Sequence, residues 1–301
     1  MVTGYLHPQY SESLSEWGTP RELPRCGGWI LEREIMGVPY RDAMGCYPMF
    51  MCQNWAQLAP DLEDLGDDLV SLALVTDPFG KYDETDLHRC FDVVIPFKEH
   101  YIVDLQRPIN EYLPRHHRRY VKKALENVQI EICEEPMRYI DEWVNLYAAL
   151  SQRHIVTGIR AFSRTAFLKQ LSIPGLVMFR AVHGNTAVGA ALTFVQEDTA
   201  YGHLLGISEA GQELGVSYAI YSAHISYLSG KVRWMDWGGT PGIMNNGSDG
   251  LSQFKRGWST ETRTAYFCGR IFENDKYLEI MRAKGLSGSD YFPAYRKGEF
   301  A

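Results

Sequence analysis

Apolar residues recur at helical spacing in several stretches of the C-terminal two thirds of the chain. Pro114 suits the first turn of one helix, because its missing N–H falls where no intrahelical partner exists. Met137–Arg153 predicts a second helix, and Ser163 is the expected N-cap of a third, since its hydroxyl can accept a hydrogen bond from the first turn. Further helices are predicted at Leu214–Ser229 and near Leu251–Lys255.

Alternating or continuous apolar runs predict strands between these helices. Val128–Cys133 comes first, and three runs then follow one another through short connections: Val177–Val182, Ala187–Val195 and Thr199–Ile207. Short connections are typical of hairpins, so these three strands should be antiparallel neighbours. Two later strands are predicted at Val232–Trp237 and Arg263–Phe272.

The N-terminal third is less regular and is rich in Gly, Pro and aromatic residues. Strand-like runs occur at Trp29–Ile35, Ser71–Val75 and Phe91–Ile95, and a helical stretch lies around Asn54–Leu65. Pro108 breaks the strand pattern and predicts a boundary near Leu105–Asn110. We expect domains at residues 1–105 and 106–272, with a C-terminal helix and tail at 273–301 that docks on the first domain.

Composition is that of an ordinary globular protein, with 301 residues of which 45% are hydrophobic and 22% charged. No apolar run reaches the ~18 residues of a membrane span, and the first residues lack the basic and apolar regions of a secretion signal. The six cysteines lie far apart without a Cys-x-x-Cys pair, which favours reduced thiols over disulfides or zinc. We therefore expect a cytoplasmic protein with no membrane span.

Positive charge is concentrated in one short segment, although the net charge of −7 argues against general nucleic-acid binding. The cations on one face of the predicted helix after Pro114 are Arg115, Arg118, Arg119 and Lys122. The opposite face carries Val121, Ala124 and Leu125. The basic face suits the phosphates of a nucleotide, a tRNA end or CoA, but a solvated helix face explains it equally well.

Four motifs resemble the FemABX family, whose members duplicate a Gcn5-related N-acetyltransferase (GNAT) core. They are Arg118–Ala124, Ala200–Leu204, Met235–Gly239 and Gly250–Trp258. The order of predicted elements after Pro114 also resembles the GNAT core. The resemblance implies an α/β (α+β) fold of tandem GNAT-like domains, each a mixed, mostly antiparallel central sheet flanked by helices. The C-terminal domain would be of the acetyltransferase type, and the N-terminal domain would be a degenerate copy.

The same resemblance implies transfer of an acyl or aminoacyl group to an amine. In GNAT enzymes the loop before the central helix holds the CoA pyrophosphate, because unpaired amides and the helix dipole favour an anion. The residues at that place are Gln212, Gly215, Val216 and Ser217, although Glu213 departs from the pattern. Acyl-CoA is the expected co-substrate, without a metal. Arg118, Arg119 and Lys122 would assist in holding its phosphates.

Four residues are candidates for the chemistry, namely Lys255, Asp236, His203 and Tyr201. The resemblance places Lys255 in an active-site channel, where its ammonium would stabilise a developing oxyanion. Asp236 or His203 would accept or orient the proton of the attacking amine, and Tyr201 would position a substrate. Each has a structural alternative as a solvated or hydrogen-bonded residue. His100 is a weaker candidate that could line a cleft between the domains, but a surface or core role is expected.

Alternatives remain for donor, acceptor and activity. The expected acceptor is a small-molecule or peptide amine. Aminoacyl-tRNA, bound through the basic helix, is the second possible donor, and a non-catalytic binding module is a third hypothesis, since fold does not dictate activity. The sequence contains no phosphate loop, dinucleotide fingerprint or nucleophile elbow, and its nine histidines show no metal-ligand spacing.

Overall fold

The computed structural model describes residues 2–66, 68–240, 249–286 and 289–299. The chain divides into two compact units. Unit N comprises Tyr5–Phe97, Thr157–Phe162 and Thr264–Ala301, and unit C comprises Met1–Gly4, Lys98–Val156 and Ser163–Arg263. The predicted arrangement of tandem domains at 1–105, 106–272 and 273–301 stays a prediction.

The α-helices of the described residues agree with most of the periodic stretches in the sequence. They are α1 (Pro8–Ser13), α2 (Leu58–Glu63), α3 (Glu84–Cys90), α4 (Ile109–Tyr112), α5 (Arg115–Leu125), α6 (Ile140–His154), α7 (Arg164–Gln170), α8 (Glu209–Glu213), α9 (Val216–Leu228), α10 (Gly250–Arg256) and α11 (Asn274–Ala283). Ser163 caps α7 as predicted, because its hydroxyl accepts a hydrogen bond from the N–H of Ala166. No helix among the described residues has both the length and the apolar character to cross a membrane.

The strands of the described residues alternate with these helices. They are β1 (Thr19–Leu23), β2 (Gly28–Glu34), β3 (Arg41–Gly45), β4 (Ser71–Val75), β5 (Val93–Asp104), β6 (Gln129–Cys133), β7 (Leu176–His183), β8 (Thr186–Gln196), β9 (Thr199–Ile207), β10 (Trp234–Asp236) and β11 (Glu261–Ile271). The predicted strand at Phe91–Ile95 is part of the longer β5, which continues to Asp104.

In unit C the strand order is β5-β10-β9-β8-β7-β6. The pairs β7–β8 and β8–β9 are antiparallel, which confirms the predicted hairpins, and β9–β10 is parallel. Apolar residues of α9, among them Ala219 and Ile220, share one buried cluster with Phe179 of β7 and with Val188 and Ala191 of β8. The sheet is therefore mixed and mostly antiparallel, with helices packed on it, which confirms the predicted fold class.

Helix α5 packs its own apolar side toward α9. His117 and Ala124 are buried, but Leu125 is 49% exposed, so the placement of Leu125 on the apolar face is wrong. Positions 117, 121 and 124 follow the helical period, whereas position 125 is rotated by about 100° from 124. The buried side of this helix thus carries a histidine that hydrophobicity alone does not select.

In unit N the strand order is β1-β2-β3-β4-β11, and only β3–β4 is parallel among the described pairs. The core of unit N contains four of the cysteines, Cys26, Cys52, Cys90 and Cys268, all buried as free thiols. This placement agrees with the sequence expectation, because a thiol without a disulfide or metal packs as a small apolar group.

A buried ion cluster fastens the C-terminal segment of unit N. Asp42 on β3 is fully buried (0% exposed) and accepts hydrogen bonds from Nε and Nη2 of Arg296 at 2.9 and 2.8 Å. Arg33 on β2 brings a second guanidinium to 3.5 Å from the same carboxylate. Arg296 also donates to the backbone carbonyl of Glu34 at 2.7 Å. The carboxylate is therefore compensated by a fork-shaped cation, the geometry that suits a buried ion pair.

Replacing Arg296 with alanine should destabilise unit N, because removing one partner leaves a buried charge poorly compensated. We expect a loss of about 3 kcal/mol in the free energy of unfolding, measured by urea denaturation. The matched control is Arg282→Ala on α11, whose side chain is exposed. Equal losses in the two variants would contradict this role for the Asp42–Arg296 pair.

Candidate active site

In unit C the pairing between β9 and β10 is short. The two strands pair in parallel at three positions, of which Tyr201–Asp236 is the last among the described residues. Beyond it β9 continues beside β8 to Ile207, whereas the chain after Asp236 follows β5, with the N–H of Trp237 donating to the carbonyl of Tyr101 at 2.9 Å. The predicted strand Val232–Trp237 is thus shortened, and the strands part at Asp236. We call this place the β9–β10 opening.

A β-bulge lies on β9 next to the opening. The register with β8 shifts between Leu192 and Thr193, which face Leu204 and Gly202, so that His203 is an additional residue on β9. A bulge bends its strand and redirects nearby side chains, and bulges are frequent beside active sites. Nε2 of His203 lies 3.2 Å from Oε1 of Gln170 on α7. Burial lowers the pKa of His203 to about 3, which keeps its imidazole neutral.

Asp236 occupies the last rung before the opening and is 1% exposed. One carboxylate oxygen lies 2.8 Å from Nδ1 of His100 on β5, and the other accepts a hydrogen bond from the N–H of Gly238 at 2.6 Å. Gly238 has φ +74°, a left-handed conformation that glycine adopts without strain. The Asp-Trp-Gly-Gly sequence of the third motif therefore turns the backbone back onto the carboxylate. Tyr201, beside Asp236 on β9, is buried.

Lys255 reaches the same turn from α10. Its ammonium donates to the carbonyl of Gly239 at 2.7 Å and to that of Gly238 at 3.4 Å. The side chain is 9% exposed. Burial lowers the pKa of Lys255 from 10.5 to about 8, although the charges of Asp236 and Asp249 raise it. Lysine thus remains mostly protonated at neutral pH, and a third ammonium hydrogen is left for another acceptor.

Aromatic side chains hold α10 in place between α5 and α9. Trp258, just after α10, stacks on the buried His117 of α5 at 5.2 Å, and Phe254 makes an edge contact with Tyr221 of α9 at 4.9 Å. A Cβ at Gly257 would lie 2.2 Å from the His117 ring, so no other residue fits there without a shift. The fourth motif therefore fixes the position of Lys255 through its aromatic and glycine residues.

The residues predicted to bind a donor lie at two successive helices. Gln212 belongs to α8, a short helix in a segment where the sequence predicted a loop, because Ser208 caps it by accepting from the N–H of Gly211 at 3.1 Å. Gly215 is left-handed, with φ +69°, and starts α9, whose first helical residues are Val216 and Ser217. No side chain caps this helix N-terminus.

Helix α5 contacts the first turn of α9 through an aromatic pair. Tyr120 of α5 stacks on Tyr218 of α9 at 4.9 Å, and the guanidinium of Arg119 lies 5.3 Å from the Tyr120 ring. Arg118, Arg119 and Lys122 are exposed. The fold therefore packs the helix that carries these cations against the helix that begins after Gly215, although the two segments are about 95 positions apart. Positive side chains and a helix N-terminus both favour an anion.

His100 is the residue that sequence reasoning did not select. It is 8% exposed and contacts Asp236, 136 positions away along the chain. The alternation of side chains along β5 shows which residues lie on the same face of the sheet as His100. It does not show which residue of a later strand lies next to His100. The available signal was a histidine on a strand and an aspartate at a strand end. Among the described residues, no group of three or more His, Cys, Asp or Glu side chains could hold a metal ion.

Solved structures of low sequence identity share this architecture. FemX is 12% identical with a TM-score of 0.66, and the match covers 91% of this chain and 93% of that chain. The C-terminal domain of a putative lysylphosphatidylglycerol synthetase from Agrobacterium fabrum is 14% identical with a TM-score of 0.64, covering 93% of each chain. L-PGS from Bacillus licheniformis is 15% identical with a TM-score of 0.61, covering 91% of this chain and 94% of that chain.

The chain has a FemABX/GNAT-like fold. No family model matches the sequence, and no curated protein matches it. The resemblance drawn from the four motifs is thus confirmed at the level of the fold. Whether unit N is a degenerate copy of the FemABX/GNAT-like core stays a prediction, and so do the roles of the individual site residues.

The lowered pKa of Lys255 predicts a particular dependence of stability on pH. Below pH 8 the lysine is charged in both the folded and the unfolded states, and folding carries the full cost of burying the charge. The difference between 10.5 and about 8 corresponds to about 3 kcal/mol. Between these pH values the unfolded state binds more protons, so this cost disappears as the pH rises.

Lys255→Met should therefore lack a rise in stability that the wild type shows between pH 8 and 10.5. Chemical denaturation at several pH values measures it, and the exposed Lys284→Met is the control that should keep the wild-type dependence. Parallel curves for wild type and Lys255→Met would show that Lys255 titrates normally in the folded protein.

Proposed function

We propose that this protein transfers an acyl or aminoacyl group from a carrier to a nucleophilic acceptor at the β9–β10 opening. The observation that carries the proposal is the convergence of a buried Lys255 and a buried Asp236 at the rung where the strands part. A carbonyl placed in such an opening would lie beside a fixed cation and away from bulk water. These are conditions under which an oxyanion is stabilised most effectively.

The donor that we favour is an acyl-CoA thioester, and the acceptor is the amine of a small molecule or peptide. The start of α9 at Gly215–Ser217 offers backbone N–H groups to a pyrophosphate, and α5, which packs against α9 through Tyr120, would supply the guanidinium groups of Arg118 and Arg119. This anion site and the β9–β10 opening are both formed by the same unit. The donor would bind by its phosphates at α9 and present its thioester at the opening.

In the reaction the acceptor attacks the donor carbonyl, and the electron pair of the carbonyl moves to oxygen. The ammonium of Lys255 stabilises this oxygen, with a contribution of a few kcal/mol by analogy with the ~2.7–4 measured for one oxyanion-hole donor. Holding donor and acceptor together in the opening supplies a further part of the rate, because the attack becomes effectively intramolecular. Collapse of the tetrahedral species releases the carrier.

Aminoacyl-tRNA is the second candidate donor. The observation that favours it is the exposed basic face of α5, together with a structure of this fold that is named as a domain of a putative lysylphosphatidylglycerol synthetase. Such a face also suits the phosphates of an RNA end. The two donors differ in a measurable way, since RNA binding through several phosphates depends steeply on salt.

Lys255→Ala should lower turnover about 10²–10³-fold, the effect of removing one oxyanion donor, while the protein stays folded. The measurement is thiol release from acetyl-CoA and longer acyl-CoAs with a set of primary amines, with the product verified by mass spectrometry. Lys284→Ala is the control with wild-type turnover expected. Unchanged turnover in purified, folded Lys255→Ala would remove Lys255 from the reaction.

The double variant Arg118→Glu/Arg119→Glu should weaken CoA binding at least tenfold, because it replaces two exposed cations of α5, the helix packed against α9, with anions. Calorimetry with free CoA measures the affinity, and Arg282→Glu, an exposed reversal on α11, is the control. If CoA gives no heat with the wild type and tRNA binds with a steep salt dependence, the donor is aminoacyl-tRNA. Binding of neither would favour the non-catalytic hypothesis.

A further inference from the structure

We propose that His100 removes the proton from the attacking acceptor and that Asp236 is the positioning residue that holds His100 in the state able to do so. This inference deepens the proposed transfer and rests on it. It assigns the proton to a residue that lies outside the four motifs, on β5.

The contact between the two side chains determines which ring nitrogen of His100 carries hydrogen. An ionised carboxylate only accepts hydrogen bonds, so Nδ1 of His100, at 2.8 Å from Asp236, must be the donor. The N–H of Gly238 occupies the other carboxylate oxygen at 2.6 Å. Asp236 is thereby fixed on both sides in a buried place. The neutral imidazole consequently keeps its lone pair on Nε2, the form that a general base needs.

The edge of the ring that carries Nε2 is not hydrogen-bonded by the described part of the chain. Cδ2, the atom bonded to Nε2, lies 3.4 Å from the place where a Cβ of residue 239 would stand. Because residue 239 is glycine, this edge is free of a side chain from that position. The carbonyl of the same glycine accepts from Lys255 at 2.7 Å. The proposed base and the proposed oxyanion donor are therefore both neighbours of Gly239.

With a neutral amine as the acceptor and a thioester as the donor, His100 carries the proton from the amine to the leaving group. The amine nitrogen forms a bond to the carbonyl carbon, the carbonyl π pair moves to oxygen beside Lys255, and Nε2 of His100 takes one N–H proton. When the carbonyl re-forms, the carbon–sulfur bond breaks. The leaving thiolate takes the proton from Nε2, which returns His100 to its neutral form. With an aminoacyl ester, the leaving oxygen takes the same proton.

Four titratable groups surround His100. Asp236 contacts it, Lys255 contacts the neighbouring Gly239, and Lys98 lies two residues earlier on its own strand. Tyr201 lies next to Asp236 on β9. The acid limb of kcat/KM against pH should report His100 taking up a proton. The alkaline limb should fall as Lys255 loses its proton near pH 8.

The decisive variant is Asp236→Asn. An asparagine can still accept from Gly238 through its oxygen, but its amide donates toward His100, so Nδ1 must become the acceptor and the hydrogen must move to Nε2. The variant keeps the contacts of residue 236 with Gly238 and His100, but the hydrogen on Nε2 prevents His100 from accepting a proton there. We expect kcat of Asp236→Asn to fall about 10²–10⁴-fold, with a smaller change in KM. The kcat of His100→Gln should fall by a similar factor. His224→Gln is the matched control, a buried histidine on α9 that bonds Thr193, which should retain the acid limb.

A second measurement does not depend on activity. Nitrogen-15 NMR of the imidazoles, assigned by comparison with His100→Gln, should show hydrogen on Nδ1 in the wild type and on Nε2 in Asp236→Asn. Hydrogen on Nε2 in the wild type would overturn the assignment. So would an unchanged acid limb and kcat in both His100→Gln and Asp236→Asn when the wild type transfers acyl groups. A wild type that transfers nothing with any donor and acceptor would instead overturn the proposed function, and this inference with it.

Discussion

The buried carboxylate of Asp236 is the feature on which the candidate site depends. An ionised carboxylate with 1% exposure requires fixed donors, and the structure supplies them from His100 on one side and from the N–H of Gly238 on the other. β10 itself pairs with both β5 and β9. After Asp236 the chain keeps backbone hydrogen bonds to β5 but has no further described pair with β9, so the two bonds to this carboxylate lie where the strands separate and where the opening is proposed for the chemistry.

A second constraint acts on Lys255 through packing rather than hydrogen bonding. Phe254 and Trp258 anchor α10 against α9 and α5, and the absence of a side chain at Gly257 lets the His117 ring come close. The ammonium is thereby held at the glycine turn although burial of its charge is unfavourable, as the lowered pKa shows. Strain of this kind is common where a site is organised for reaction rather than for stability.

Much of the fold could be predicted from local patterns. The hairpins of β7, β8 and β9 follow from short connections, and the helix at α7 follows from its Ser163 cap. The predicted and observed elements differ notably at two places, and both differences have local causes. Ser208 nucleates α8 where a loop was expected, and β10 is limited to Trp234–Asp236 because the residues after it turn onto the Asp236 carboxylate. Neither effect changes the period of the hydrophobic pattern, so periodicity could not reveal them.

The sequence by itself determined the order of most elements after Pro114 and the FemABX/GNAT-like fold, and it selected the segments around Lys255 and Asp236 as candidates, because these depend on local spacing and on motif residues. Only the tertiary structure decided that His100 faces Asp236 and that Tyr120 of α5 stacks on Tyr218 in the first turn of α9. Both are contacts between residues about 95 to 136 positions apart. Strand order and helix packing create such contacts, and no pattern along the chain encodes which residue of one element lies opposite which residue of another.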